Sequence, residues 1–163
     1  MKPVYSNIQP ITGPLVTGIC TLKILPREWL ASPLAIDFSS NTILTEPALV
    51  DGRAWIDLQL VEPTYEYNEK PKTSKGGSYY EISLTGTINN ITYDSLQTLE
   101  TLRYHEFIAL VKDRQGRSKI VGDIDTGMQM QISHKETNDR GGNQTIAIEL
   151  FMLSGAATPF YID

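Results

Sequence analysis

The chain has 163 residues, of which 40% are hydrophobic, and its formal net charge is −5. This length suits one compact domain with a core and leaves little room for a second domain. The acidic balance argues against a protein that neutralises nucleic-acid phosphates, and no apolar run reaches the roughly 18 residues that a membrane span needs. Residues 1–5 lack the apolar core of a secretion signal, so we do not expect secretion by the general pathway.

Six prolines interrupt the first fifty residues and exclude long helices there. We predict an extended N-terminal arm, residues 1–52, with one strand at residues 15–25 and a helical turn at residues 26–30. Cys20 alternates with polar neighbours in that strand and is expected to be a small buried hydrophobe. The apolar anchors of the arm must lie either on the edge of the chain's own sheet or on a neighbouring copy. These anchors are Ile36, Phe38, Ile43, Leu44 and Leu49.

Alternating apolar and polar positions dominate the core region, residues 53–154, and predict antiparallel strands. The predicted strands are residues 53–61, 78–89, 107–112, 117–123, 128–133 and 144–153. We expect residues 53–61 to pair with residues 78–89. One amphipathic helix is predicted, with Thr92 or Asp94 as its N-cap and with Leu96, Leu99 and Leu102 on its packing face. The fold class is therefore mainly β, an antiparallel β-sandwich or small barrel with one flanking α-helix, followed by a C-terminal tail at residues 155–163.

The connection at residues 62–77 is predicted to be a long loop, and loops of this length are usually functional or disordered. Its alternating charges and flanking tyrosines indicate a polar interface with aromatic anchors, although a mobile flap has the same composition. Two apolar residues of the last strand lie on its polar face and need a cover, either the helix or a neighbouring subunit. The predicted inter-subunit interface comprises Tyr65, Tyr67, Lys70, Lys72, Lys75, Tyr79, Phe151 and Leu153.

Residues that carry chemistry are sparse. His105 and His134 belong to no spaced cluster of zinc ligands. Asp123 and Asp125 are predicted to share one strand face, but a pair without a third ligand is a weak cation or acid–base site. We therefore expect neither an enzyme nor a bound cofactor or metal.

The order of these elements resembles the tail-tube fold of tailed bacteriophages and related contractile injection machines. The resemblance covers about the last two thirds of the chain. The sequence of residues 107–122 is also similar to virion proteins of Bacteroidetes phages, including neck-ring proteins. It implies a virion structural protein, a ring-forming subunit of a tail tube or neck, six-fold if a tube. It also implies assembly in the host cytoplasm, partnership with other tail or neck proteins, and a long loop that reaches onto the neighbouring ring.

Edge-to-edge pairing of such subunits would enclose a channel, and a polar acidic wall lets DNA pass as cargo without sticking. The predicted lumen-facing residues are Glu81, Ser83, Thr85, Gln129, Gln131 and Glu149. The alternative is a monomeric carbohydrate-binding β-sandwich with an aromatic stacking platform. That platform would comprise Trp29, Trp55, Tyr65, Tyr67, Tyr79 and Tyr80.

Overall fold

The computed structural model describes residues 18–61, 64–89, 92–135 and 145–162, and the predicted strand start at residues 15–17 lies outside them. The strands of these residues are β1 (Ile19–Pro26), β2 (Ile36–Asp37), β3 (Thr42–Ile43), β4 (Ile56–Asp57), β5 (Glu66–Ser74), β6 (Gly77–Asn89), β7 (Glu106–Asp113), β8 (Ser118–Val121), β9 (Met128–Lys135), β10 (Thr145–Ser154) and β11 (Phe160–Tyr161). Helix α1 spans Tyr93–Leu102, and a 3₁₀ turn spans Arg27–Trp29. The predicted mainly β sandwich with one flanking helix is confirmed, and the sheet does not close into a barrel.

Strand β7 is where the sheet divides into two layers. One side of β7 pairs with β1, while its other side pairs first with β9 and then with β8. We call β5-β6-β10-β9 the front sheet and β4-β1-β7-β8-β11-β3-β2 the back sheet. Glycines permit the close approach at the branch, because a Cβ on Gly127 would lie 2.8 Å from the Cβ of Glu106.

The main core lies between the two layers. Its buried residues come from both sheets and include Leu22, Ile24, Phe107, Met128, Ile146 and Leu150. Helix α1 packs on this core through Leu99, with Leu96 and Leu102 partly buried beside it. The Thr92 hydroxyl caps the helix by accepting a hydrogen bond from the Ser95 N–H at 3.3 Å. The helix, its packing face and its cap are confirmed.

A second core covers the opposite side of the back sheet. Leu30, Leu34 and Ile43 of the arm pack there against Ile108 and Ile120. The part of the arm that follows β1 therefore packs on the chain's own sheet, although on the face of the back sheet and not on the open edge that the sequence analysis expected. Two of its predicted anchors have no such role, because Phe38 and Leu44 are exposed.

The predicted strand at residues 53–61 is wrong in length and in partner. Only Ile56–Asp57 form a strand, and they pair with β1, whereas β6 pairs with β5 and β10. Leu58 and Leu60 are buried without a ladder around them. Leu60 packs against Gly86 of β6, where a Cβ would overlap Leu60 Cδ1.

The predicted loop over residues 62–77 is wrong from residue 66 onward, because residues 66–77 belong to a β-hairpin. Strand β5 pairs with β6 from Glu66 opposite Thr85 to Ser74 opposite Gly77. Pro71 argued against a strand there, but β5 is an edge strand, where a missing N–H costs no ladder bond.

The prediction that Cys20 is buried is wrong. The register of β1 against β7 shifts between Ile19 and Thr21, and Cys20 is exposed while Ile19 is buried. Such a bulge inserts one residue and reverses the alternation that follows from sequence.

Candidate assembly surface

The outer face of the front sheet contains residues from both the predicted lumen and the predicted inter-subunit interface. Glu149 lies opposite Thr85 on one side and Gln131 on the other. Phe151 lies in the same way between Ser83 and Gln129, and Leu153 lies opposite Glu81. All six predicted lumen residues therefore share one face with Phe151 and Leu153. Whether this face lines a channel stays a prediction.

The outer face has a polar half, which we define as Thr85, Thr87, Gln131, Ser133 and Glu149. These residues surround an open cleft of about 220 Å³. Its hydroxyl, amide and carboxylate groups offer no apolar surface large enough to drive association by burial.

The other half is apolar and basic, and we call it the hairpin half. Phe151 and Leu153 retain 37% and 52% of their accessible surface, and neither α1 nor any other described element covers them. Lys70 of β5 lies opposite Glu81, and Lys72 forms an ion pair of 3.7 Å with the same carboxylate. Beyond them the hairpin projects, since residues 70–78 are all exposed. Lys75 is in its turn, and Tyr79 is half-buried at its base.

Free strand edges border the front sheet on both sides. Strand β5 ends the strand order and has β6 as its partner. At the opposite side, β9 pairs with β7 only through Met128 and Gln129, so residues 130–135 have β10 as their strand partner within the described part of the chain. A free edge presents unpaired N–H and C=O groups that can template pairing with another strand.

Two of the predicted interface tyrosines do not lie on this surface. Tyr65 and Tyr67 face inward and pack against the main core. The Tyr65 hydroxyl accepts a hydrogen bond of 3.1 Å from the Leu60 N–H, and the Tyr67 hydroxyl donates one of 2.6 Å to Glu69. They are therefore structural residues of the chain itself rather than exposed anchors.

A partly buried ion pair, which sequence reasoning missed, fixes the edge strand β5 to the back sheet. Glu69 accepts hydrogen bonds from the Lys119 Nζ at 3.0 Å and from the Thr158 N–H at 2.8 Å, in addition to the Tyr67 hydroxyl. Burial opposes ionisation of Glu69, but these donors outweigh it and hold the pKa of the carboxyl below its usual value. Burial, and then Glu69 itself, raise the pKa of Tyr67. Three segments that are far apart in sequence meet here, so no local pattern signals the cluster.

The candidate chemical residues have structural partners. Asp123 is not on a strand, because β8 ends at Val121, and its Oδ1 accepts hydrogen bonds from the Leu34 N–H and the Ile124 N–H. The predicted shared face with Asp125 is therefore wrong. His105 Nδ1 lies 2.5 Å from Glu28 Oε1, and His134 Nε2 lies 2.9 Å from Glu100 Oε1. The described residues contain no group of three or more metal-ligating side chains.

The aromatic residues considered for a carbohydrate platform do not share a surface. Trp29 and Trp55 pack on the arm side of the back sheet, whereas Tyr65, Tyr67 and Tyr80 pack on the main core between the sheets. The back sheet separates these two groups, and Tyr79 lies opposite Lys72 on the outer face of the front sheet.

No family model, curated protein or solved structure matches this chain. Among the described residues, no helix has the length and apolar character of a membrane span.

Proposed function

We propose that this protein is a ring-forming virion structural protein whose copies join by pairing their front sheets around a channel. The observation that carries the proposal is the front sheet itself, which has a free edge on each side and an outer face with a polar half. Assignment to the tail tube or neck of a tailed bacteriophage rests on the resemblance in the order of elements. The partners are then other copies and other tail or neck proteins, in a virion assembled in the host cytoplasm.

Strand direction supports a ring. The front sheet is antiparallel throughout, so its two outer strands, β9 and β5, run in opposite directions. Rotation about a ring axis preserves the direction of each strand along that axis. Strand β5 of one copy therefore meets β9 of the next in antiparallel orientation, and the alternation continues without a break. This contact joins two different surfaces, and such a contact generates a ring when the rotation between successive copies closes.

The outer face supports a channel wall. Carboxylates of Glu66 and Glu149 lie on it among hydroxyl and amide groups, whereas the Glu81 carboxylate is paired with Lys72 in the hairpin half. Such a wall repels a polyanion and offers it few binding minima, so DNA would pass as cargo. The hairpin half, with Phe151 and Leu153, is the part of this face suited to contact with a neighbouring subunit rather than to the open lumen.

Electron microscopy and sedimentation velocity of the purified protein test the proposal. We expect annular or tubular particles at micromolar concentration. A matched pair of variants tests the free edge of β5. Pro71 has no backbone N–H, and the N–H of Thr73, two residues further along the strand, points to the same free edge. Thr73→Pro should weaken assembly because it removes a donor at the free edge of β5, whereas Thr73→Ala should not. A protein that stays monomeric at all concentrations would contradict the proposal.

A further inference from the structure

The back sheet carries exposed apolar residues on the face that points toward the front sheet. Phe160 of β11 lies beside Lys119 of β8 and Thr42 of β3, while Tyr161 and Ile43 face the arm. The Ile162 N–H donates a hydrogen bond of 3.0 Å to the Ile43 carbonyl and so extends the β3–β11 pairing by one residue beyond the strand ends. The alternation of that pairing puts Ile162 and Leu44 on the side of Phe160. We call Leu44, Phe160 and Ile162 the shelf. Leu44 and Ile162 keep 62% and 57% of their accessible surface.

The shelf begins where the front sheet ends. Lys119 Nζ lies 4.9 Å from the ring centroid of Phe160 and 5.1 Å from that of Tyr67, a residue of β5. A cleft of about 420 Å³ opens between β5 and the back sheet and is lined by Tyr65, Tyr67, Val111 and Phe160, among others. The back sheet thus extends past β5, and the space between the layers is left uncovered there by the described residues.

We infer that the shelf is covered by the front sheet of a neighbouring copy; this inference rests on the proposed function. A strand that pairs with β5 lies about 4.8 Å further along the front layer. Because the two layers of a sandwich face each other at about 10 Å, that strand lies over the shelf. The strand that covers the shelf is β9 of a second copy, whose inward-facing Ile132 is only partly buried in its own chain.

The arrangement makes each subunit contact bipartite. Backbone hydrogen bonds along β5 set the direction and register, and burial of the shelf adds apolar contact between the layers. Covering one half-exposed Leu or Ile strengthens association by about tenfold. The main core of one copy would then continue into the next through the open side of the sandwich.

Sedimentation velocity of shelf variants tests the inference. The double variant Leu44→Gln/Ile162→Gln should raise the dissociation constant for assembly about a hundredfold. The matched control is Val50→Gln, because Val50 is exposed but bonds through its N–H to the Trp29 carbonyl, on the arm side of the back sheet. Its assembly should stay within about threefold of the original protein.

A fluorescence measurement keeps the inference falsifiable if the double variant folds poorly. In a Cys20→Ser background, an environment-sensitive dye on Ile162→Cys should report burial on assembly, whereas a dye on Val50→Cys should not. Unchanged assembly of the shelf variant, or a dye at position 162 that stays exposed in rings, overturns the inference and leaves the proposed function standing. Burial of the dye in the monomer means an occupant from the same chain and overturns it as well. Absence of any assembly overturns both.

Discussion

The back sheet and the front sheet differ in how many of their surfaces the chain itself covers. The back sheet packs on the main core with one face and on the arm with the other. The chain covers only one face of the front sheet, and both outer strands of that sheet have free edges within the described residues. The end strands of the back sheet, β2 and β4, also have one strand partner each but are only two residues long, so the longer free edges of β5 and β9 are where the proposed association would form.

Truncation of one side chain in each sheet should show this contrast most clearly. Ile24 of the back sheet is fully buried, so Ile24→Ala should lower the free energy of unfolding by about 3 kcal/mol. Phe151→Ala on the outer face should change it by about 0.5 kcal/mol in the monomer. Chemical denaturation at low protein concentration measures both. Equal losses would mean that the outer face is part of the monomer's core.

The contact between Leu60 and Gly86 of β6 should show the next largest effect on the free energy of unfolding. Gly86→Ala places a methyl group against the Leu60 side chain and should cost about 2 kcal/mol. In Leu60→Ala the space is already open, so adding Gly86→Ala to that variant should cost much less. Denaturation of the four proteins of this double-mutant cycle gives the coupling, and additive losses would contradict the contact.

The Glu69 cluster, which ties the front edge strand to the back sheet, should have a smaller and pH-dependent effect. Glu69→Gln should lower the free energy of unfolding by about 1.5 kcal/mol at neutral pH, because the hydrogen bonds from Lys119 and Tyr67 lose their charged acceptor. Glu66→Gln is the matched control: it lies on the same strand but on the exposed outer face, and its effect should be negligible.

The sign of the pH effect follows from the lowered pKa of Glu69. The stabilisation is fully present above the ordinary glutamate pKa of about 4.3 and is lost as the pH falls through the lower value in the folded protein. The difference between the original protein and Glu69→Gln should therefore shrink in acid. A difference that persists unchanged below that range would rule out the ionised carboxylate as its cause.

The sequence predicts those parts of the fold in which pattern and burial agree. Alternation identifies β10 and its outer residues Glu149, Phe151 and Leu153, and the spaced leucines identify α1. It fails at β5, where charged residues and Pro71 conceal an edge strand, because such a strand needs apolar residues on only part of one face. The free edges that define the candidate surface depend on strand order, which no local pattern contains.

Amide hydrogen exchange on dispersed and assembled protein tests the central claim most directly. If copies join through their front sheets, assembly should slow exchange in β5, at Tyr67, Glu69 and Thr73, and at residues 130–135 of β9, while the long-paired strands β6 and β10 change little. Assembled particles in which both edges exchange as fast as in the monomer would contradict edge pairing.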